Sequence, residues 1–163
     1  MYRKQILNDK LSTYFGDCFP YQATTALSKS KRYEVVVGIG GNIGDVRRRF
    51  KHLFIEMKKD NRVELLRTSL ILKNPPFGYT KQDDFFNSII LLKTSMQPIS
   101  FLDYLMRLEK KFGRKRSFSN APRTLDLDII FFDNRVIKTK KLTIPHKDWS
   151  KRESVVIPLM GIQ

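Results

Sequence analysis

The chain lacks several features that would assign it to a particular class of protein. Its one cysteine, Cys18, cannot form an internal disulfide, which fits a reducing compartment. No apolar run approaches the ~20 residues that span a bilayer, and the N-terminus has no continuous apolar segment typical of a secretion signal. Internal repeats are also absent from the sequence. We therefore expect a cytoplasmic protein without a membrane partner.

Acidic residues are scarce as well. The 163 residues include 31 lysines and arginines but 16 acids, which gives a formal net charge of +15. This imbalance favours anionic partners, such as a nucleotide, a nucleic acid or an acidic membrane surface. Because the charge is spread along the whole chain, it also fits a lysine-rich solvated surface and does not choose among these partners.

Length and periodicity predict one α+β domain with a sizeable core. β-branched runs and helical spacings alternate in the order β-α-β-β-α-β, which is the ferredoxin-like pattern. The predicted elements span residues 33–39, 46–59, 63–73, 85–95, 98–113 and 125–132. The glycine-rich segment 38–45 is expected to end the first strand, and Asp45 to cap the first helix.

The two ends of the chain follow a different pattern from this central plan. After a turn at 133–135, the sequence predicts a short strand at 136–137 and then an irregular tail. Residues 1–32 look detached, and their Ser/Thr/Lys-rich end at 24–31 suggests a flexible join. We therefore expect an N-terminal extension at 1–32 and a single domain at 33–163.

Two aspartates alternate with apolar residues in the fourth predicted strand. Leu125, Leu127 and Ile129 would point into the core, while Asp126 and Asp128 share the opposite face. A rise of ~3.3 Å per residue separates their Cβ atoms by roughly 6.5 to 7 Å. Carboxylates this close repel unless a cation lies between them, and Mg²⁺ is commonly held by one or two carboxylates plus substrate phosphates. The pair predicts a metal–phosphate site, although a solvated acidic face of an ordinary strand has the same pattern.

Four groups of residues extend this interpretation. They are GGNIGD at 40–45, NPPFG at 74–78 with DFFN at 84–87, GRKR at 113–116 with PRTLDLD at 122–128, and LTIPH at 142–146 with Arg152. In this order and spacing they resemble the 6-hydroxymethyl-7,8-dihydropterin pyrophosphokinase family of folate biosynthesis, over residues 33–162. The resemblance implies a ferredoxin-like α/β fold with a mainly antiparallel sheet and extra short strands near the C-terminus. It also implies transfer of the β,γ-diphosphate of ATP to the pterin hydroxymethyl group, with two Mg²⁺ ions.

The resemblance assigns roles to individual residues on the nucleotide side. It makes Asp126 and Asp128 ligands of both metal ions, and Arg114 and Arg123 catalytic residues that contact the triphosphate. Guanidinium groups suit this role because their planar forks match phosphate geometry and stay charged. The further nucleotide-binding residues that it implies are Glu109, Arg116, Lys141, Thr143, His146 and Arg152.

A pterin ring needs aromatic faces and hydrogen-bonding edge partners. The resemblance makes Phe85 the stacking aromatic and Asn87 the residue that reads the ring edge, and their spacing of two places both on one strand face. Asn74, Pro75 and Phe77 would form the adjoining loop. Taken alone, Phe85 also fits a core aromatic.

Several departures from the family pattern occur, and two of them affect aromatic residues of the site. An arginine and a tryptophan are expected shortly before the Pro-Arg pair, but the loop 117–121 is one residue shorter and offers Phe118 as the aromatic candidate. A second stacking aromatic is expected at Ser154, where Trp149 or Tyr79 are the candidate substitutes.

Two other functions stay open at this point. A basic ferredoxin-like module that binds RNA would use exposed sheet aromatics, but it has no use for paired aspartates facing a polyanion. A catalytically impaired relative that binds nucleotide would fit the altered loop. Our main expectation is an enzyme with ATP and a dihydropterin as its partners, without nucleic acid, as a monomer or weak dimer.

Overall fold

The computed structural model describes residues 3–24, 32–115 and 118–162. Within these ranges, no helix is long and apolar enough to cross a bilayer. The strands are β1 Arg3–Ile6, β2 Ser12–Phe15, β3 Tyr21–Gln22, β4 Tyr33–Gly41, β5 Val63–Thr68, β6 Ile71–Asn74, β7 Phe85–Thr94, β8 Asp126–Phe132, β9 Ile137–Lys138 and β10 Thr143–Ile144. The helices are α1 Val46–Lys59, α2 Pro98–Lys111 and α3 Glu153–Met160, with a 3₁₀ turn at Trp149–Lys151.

The predicted β-α-β-β-α-β order is confirmed. The large sheet runs β1-β2-β6-β7-β4-β8, with β5 also on β7 and β3 on β5, and every strand pair in it is antiparallel. The strand β4 lies between β7 and β8, so it is central to the sheet. The extra short strands near the C-terminus are β9 and β10, which pair with each other.

Helix α1 forms where its apolar spacing and its cap predict it. The Asp45 carboxylate accepts a hydrogen bond from the Arg48 N–H at 3.2 Å, which satisfies a donor of the first turn. The apolar residues recur three and four positions apart, so they form one buried stripe. The buried residues of α1 are Val46, Phe50, Leu53, Phe54 and Met57.

The two faces of the sheet differ. One packs against α1 and α2 and forms the main core, to which β4 contributes Val37 and Ile39. On the opposite face, Ile89 of β7 and Ile130 of β8 pack with Val155 of α3 in a smaller apolar cluster. The candidate site lies on this second face, beside the start of α3.

Several predictions of element bounds were wrong. The strand predicted over 63–73 is two strands, because regular pairing with β7 is interrupted after Thr68, where the Ser69 hydroxyl accepts the Ile89 N–H at 2.8 Å. The predicted irregular tail contains α3, a helix with Pro158 inside it. Proline normally disfavours a helix interior because it removes a donor, and the apolar α3 sequence has little helical periodicity.

The N-terminal strands are hydrogen-bonded into the sheet rather than detached. Strand β2 pairs with β6, and β3 pairs with β5. Between them, Phe19 is fully buried and its ring lies 5.8 Å from that of Phe50 and 6.2 Å from that of Phe54. The expected flexible join falls largely on residues 25–31, which lie outside the described residues. The division of the chain into an extension and a domain at residue 32 stays a prediction.

This packing predicts that residues before 32 stabilise the whole fold. Replacing Phe19 with alanine should lower the free energy of unfolding by about 3–5 kcal/mol, because it removes a buried ring from the main core. Equilibrium denaturation with urea measures the change. Ile6→Ala is the control, since Ile6 is 70% exposed and its loss should cost less than about 0.5 kcal/mol. Equal stability of Phe19→Ala and the parent protein would contradict the prediction.

Candidate active site

Asp126 and Asp128 lie on the same face of β8, as the alternation predicts. Leu127 between them is buried in the main core. In register, Asp126 lies opposite Gly40 and Asp128 opposite Gly38 of the central strand β4. Because neither glycine has a side chain, neighbouring side chains occupy the space beside them: a Cβ on Gly38 would lie 3.2 Å from Ile130 Cδ1, and a Cβ on Gly40 would lie 2.5 Å from Asn87 Oδ1. The aspartate side chains are 22% and 42% exposed, respectively.

Asp126 is held by two arginines. Arg114 Nη1 lies 2.7 Å from Asp126 Oδ1, and Arg123 Nη1 lies 2.9 Å from Asp126 Oδ2. Arg114 also donates to Glu109, which is 4% exposed and accepts the Leu127 N–H at 2.9 Å. A buried carboxylate is costly unless it is paired and hydrogen-bonded, and Glu109 is both. Glu109 therefore ties the end of α2 to the start of β8 through Arg114 and the backbone.

Asp128 is in a different electrostatic environment. Although its side chain is partly exposed to the cleft, the surrounding protein desolvates the carboxylate and raises the pKa of Asp128 to about 7. The negative charges of Asp126 and Glu109 act in the same direction, while Arg152 and Arg114 oppose them. Burial and Asp126 both disfavour a second negative charge here, and a bound cation relieves that penalty.

The donor set fits Mg²⁺. Across the described ranges, no group of three or more His, Cys, Asp or Glu side chains could hold a metal ion by itself. Two carboxylates on one face suit an ion that takes one or two protein carboxylates and fills its remaining positions with water and phosphate oxygens. Both oxygens of Asp126 accept from arginines in this structure, so its metal-binding state requires the guanidinium groups to move to other acceptors.

A cleft of about 550 Å³ opens over the two aspartates. Its walls are strongly basic and come from the end of α2, the loop at 118–121 and the segment before α3. The residues that line it are Arg114, Lys115, Phe118, Ser119, Asn120, Ala121, Arg123, Asp126, Asp128, His146 and Arg152. The structure thus brings together the predicted Arg114, Arg123, His146 and Arg152, while Arg116 lies outside the described residues.

His146 faces Asp128 from the C-terminal segment. Its Nε2 lies 4.0 Å from Asp128 Oδ2, and its backbone N–H donates to Ile130 O at 2.9 Å. Burial lowers the pKa of His146, and the positive charge of Arg152 lowers it further. His146 is therefore neutral at neutral pH and available as a hydrogen-bonding group.

A second pocket of about 370 Å³ adjoins the cleft. Predicted nucleotide residues Lys141 and Thr143 line it together with Glu109, and its floor is apolar, with Leu102 and Met106 from α2. Lys141 Nζ lies 3.3 Å from Asp103 Oδ1 at the rim. An apolar pocket with a few polar groups suits a flat heterocycle.

Of the predicted pterin residues, Asn74, Phe85 and Asn87 lie on β6 and β7, whereas Pro75 and Phe77 belong to the loop that follows β6. Asn87 donates to Asn74 Oδ1 at 2.6 Å, and Asn74 donates to Pro75 O at 2.9 Å. Phe85 is half-buried, with the Arg123 guanidinium 5.5 Å from its ring centre. Its neighbour Phe86, on the other face, is the one that packs against the main core. The interpretation of Phe85 as a core aromatic is therefore wrong.

The aromatic candidates for the two altered positions lie in different parts of the structure. Tyr79 and Phe118 contact each other edge to face at 5.2 Å, which joins the loops on either side of the cleft. Trp149 instead packs edge to face with Phe131 at 4.9 Å in the smaller cluster. Phe77 is 69% exposed, and the Arg152 guanidinium lies 5.2 Å from its ring centre.

The glycines in β4 contribute to the site in a way that was not predicted. The first strand is predicted to end at residue 39, but β4 continues through Gly41 and pairs there with Phe86. A Cβ on Gly40 would lie 2.5 Å from Asn87 Oδ1, so only glycine fits beside this amide. The period-two spacing of Gly38 and Gly40 is a strand pattern and is the signal that could have placed both on the face of the aspartates.

A polar network at the end of β4 was also missed. Asn42 donates to Gln82 Oε1 at 2.8 Å and accepts the Arg123 N–H at 2.9 Å. Gln82 in turn donates to Asn120 O at 2.8 Å and to Tyr79 O at 2.6 Å. Three of these four contacts join residues 38 to 81 positions apart, so no local pattern predicts them.

Comparison with known proteins agrees with this geometry. A model of the family described as 7,8-dihydro-6-hydroxymethylpterin-pyrophosphokinase (HPPK) matches residues 36–163. A 2-amino-4-hydroxy-6-hydroxymethyldihydropteridine pyrophosphokinase of Helicobacter pylori is 41% identical over 143 residues, covering 86% of each chain. The protein of the same name from Campylobacter jejuni is 42% identical over 131 residues, or 80% of this chain and 83% of the relative. This chain therefore belongs to the 7,8-dihydro-6-hydroxymethylpterin-pyrophosphokinase family.

Proposed function

We propose that this protein transfers the terminal diphosphate of ATP to the hydroxymethyl group of 6-hydroxymethyl-7,8-dihydropterin, in folate biosynthesis. The hydroxyl oxygen forms a bond to the β-phosphorus and loses its proton, while the bond from that phosphorus to the oxygen bridging to the α-phosphate breaks. The products are AMP and the pterin diphosphate. Family membership over residues 36–163 supports this activity. The observation that carries it is the pair Asp126 and Asp128 facing a basic cleft.

Asp126 and Asp128 would hold the Mg²⁺ of the reaction, as two ions. When bound, these ions would neutralise phosphate charge and lower the pKa of the attacking hydroxyl. The cleft of about 550 Å³ over both carboxylates supports this assignment, because it has room for an ion and its phosphate ligands. The raised pKa of Asp128 supports it too, since a cation stabilises the charged form that burial disfavours.

The basic side chains around the cleft would bind the triphosphate. Arg114 and Arg123 already lie on Asp126, so they would contact phosphates next to the metal ligands. Arg152 and neutral His146 would act from the opposite wall, and Arg116 belongs to the proposed set as well. Phosphoryl chemistry asks mainly for in-line positioning and charge stabilisation, which fixed guanidinium groups supply.

The base of ATP would occupy the second pocket. Its apolar floor and the polar rim of Lys141 and Thr143 support this placement. Glu109 lies between this pocket and Arg114. We therefore propose that Glu109 contributes to nucleotide binding chiefly by fixing Arg114.

The pterin would lie beside Phe85, with Asn87 reading its edge. Asn74 fixes the Asn87 amide, and Pro75 continues into the loop that carries Phe77. Ser154 offers no ring for the second pterin face. The exposed Phe77 ring, with Arg152 on one side, is the aromatic that we propose in its place.

The other expected properties stay proposals. We propose a cytoplasmic protein that is a monomer or weak dimer and acts on small molecules. Neither the RNA-binding module nor the impaired relative is favoured by the comparisons, whose curated relatives carry the name of the enzyme. Product analysis separates the impaired relative from the enzyme.

The metal assignment is tested by isosteric neutralisation. Asp126→Asn and Asp128→Asn should each lower AMP formation by roughly 100-fold or more, because transition-state charge loses its main stabilisation. Protein, Mg²⁺, ATP and the dihydropterin are mixed, and nucleotides are separated by chromatography. Asp17→Asn is the control, since Asp17 is an exposed partner of Lys51 away from the cleft. Full turnover by both variants would refute the assignment, and ADP in place of AMP would indicate a one-phosphate kinase.

The stacking assignment is tested by two neighbouring phenylalanines. Phe85→Ala should weaken dihydropterin binding roughly 10-fold or more, because a heterocycle loses its stacking partner, and leave ATP binding nearly unchanged. Calorimetric titrations with the pterin and with a nonhydrolysable Mg–ATP analogue give the two dissociation constants. Phe86→Ala, on the core face, should lower stability without this selectivity. Equal losses for both ligands in Phe85→Ala would show a packing role only.

The glycine at position 40 gives a test of the Asn87 role. In Gly40→Ala, the new methyl group would lie 2.5 Å from Asn87 Oδ1, so the amide must move and pterin affinity should fall several-fold. Gly161→Ala is the control, because its Cβ would meet nothing closer than 3.5 Å. If Gly40→Ala lowers pterin affinity by displacing the Asn87 amide, the double variant Gly40→Ala/Asn87→Ala should bind the pterin nearly as well as Asn87→Ala alone. Additive losses in the double variant would exclude this route.

A further inference from the structure

The Arg49 guanidinium donates hydrogen bonds to two backbone carbonyls. It lies in the first turns of α1, and its side chain is half-buried. Its Nη1 donates to Ile43 O at 2.7 Å and to Thr124 O at 2.8 Å. Burial lowers the pKa of Arg49, and the nearby Asp45 opposes this shift. Because a guanidinium stays protonated in proteins, the hydrogen bonds of Arg49 are charge-assisted.

The two carbonyls belong to segments that meet at the candidate site. Ile43 lies in the glycine-rich turn after β4, and Thr124 lies between Arg123 and the strand that begins at Asp126. The same segments are joined by Asn42, whose N–H donates to Arg123 O at 3.0 Å and whose side chain accepts the Arg123 N–H. Arg49 thus closes a clamp around residues 123–124.

The main chain of the glycine-rich turn packs closely against residue 124 and the Arg49 side chain. A Cβ on Gly41 would lie 2.6 Å from Thr124 O, so the turn and the segment touch through their main chains. Gly44 has a φ of 71°, and a Cβ there would lie 3.1 Å from Arg49 Nη2. Both glycines therefore let the turn approach Thr124 and the guanidinium at once.

We propose that Arg49 is a positioning residue for the diphosphoryl transfer: it fixes the Arg123–Thr124 backbone, and through it the Arg123 guanidinium and the Asp126 carboxylate. This inference rests on the proposed function. Arg49 acts through the Ile43 and Thr124 carbonyls rather than by touching a substrate. A small displacement of Arg123 and Asp126 is enough to harm in-line transfer, because catalysis depends on their placement.

The clamp separates the two substrates. It holds the segment that would bind metal and phosphate, whereas Phe85 and Asn87 are held by β7, through its pairing with β4 and β6. The two parts meet where the Arg123 guanidinium lies 5.5 Å from the Phe85 ring centre. Loss of the clamp should therefore affect turnover and Mg–nucleotide binding far more than pterin affinity. A purely structural residue would weaken both ligands together as the folded fraction falls.

The test compares two adjacent arginines of α1. Arg49→Met should lower kcat by roughly 10- to 100-fold, since misplacement far from the chemistry has effects of that size. It should also weaken a nonhydrolysable Mg–ATP analogue, while the dihydropterin dissociation constant, measured by calorimetry, stays within about twofold because its binding residues are not held by the clamp. Arg48→Met is the matched control, because Arg48 is exposed on the same turn, and it should behave as the parent protein.

Arg49→Lys completes the design. A lysine keeps the charge and can donate to one or both carbonyls, so it should regain part of the lost kcat with pterin affinity unchanged. Should Arg49→Met fail to fold, Arg49→Lys carries the test by the same split between kcat and pterin binding. Unchanged kcat, or parallel loss of both affinities and of thermal stability, would overturn the inference. Failure of the parent protein to form AMP would instead reject the proposed function.

Discussion

The site depends on placing two carboxylates side by side on one sheet face. Two like charges at this spacing repel each other, and the surroundings of the two carboxylates reduce this repulsion in different ways. Asp126 forms ion pairs with two arginines, whereas partial desolvation raises the pKa of Asp128 to about 7. Gly38 and Gly40, opposite the pair, let the Ile130 and Asn87 side chains pack against the strand beside it.

The charges around Asp126 form an alternating chain that links separate elements. Buried Glu109 on α2 binds Arg114, which binds Asp126 on β8, which in turn binds Arg123. Each charge in the chain is paired with an opposite charge. The free-energy cost of burying Glu109 is therefore offset by its ion pair with Arg114 and by the hydrogen bond from the Leu127 N–H. The position of α2 against the sheet is thus coupled to the position of the arginines in the cleft.

Local periodicity predicted the parts of this site that lie on regular elements. The alternation around Leu127 fixed the face of the aspartates, and the stripe of α1 with its Asp45 cap fixed that helix. Helix α3 was not predicted because its sequence is apolar and contains a proline. It packs against the sheet without the amphipathic spacing that would indicate a helix. Strand β2 was not predicted, and no local pattern shows that it pairs with β6.

The paired acids also give a physical reason for selectivity in a chain of net charge +15. A basic cleft alone attracts any polyanion, including nucleic acid, and the attraction depends on total charge rather than on identity. In the proposed function, Asp126 and Asp128 at its floor would repel a phosphate that arrives without a cation and would bind one that arrives with Mg²⁺. Discrimination would therefore come from a repulsive element inside an attractive field. The arginines that contact Asp126 would strengthen this effect, because they would become available to phosphate when a metal ion takes their place.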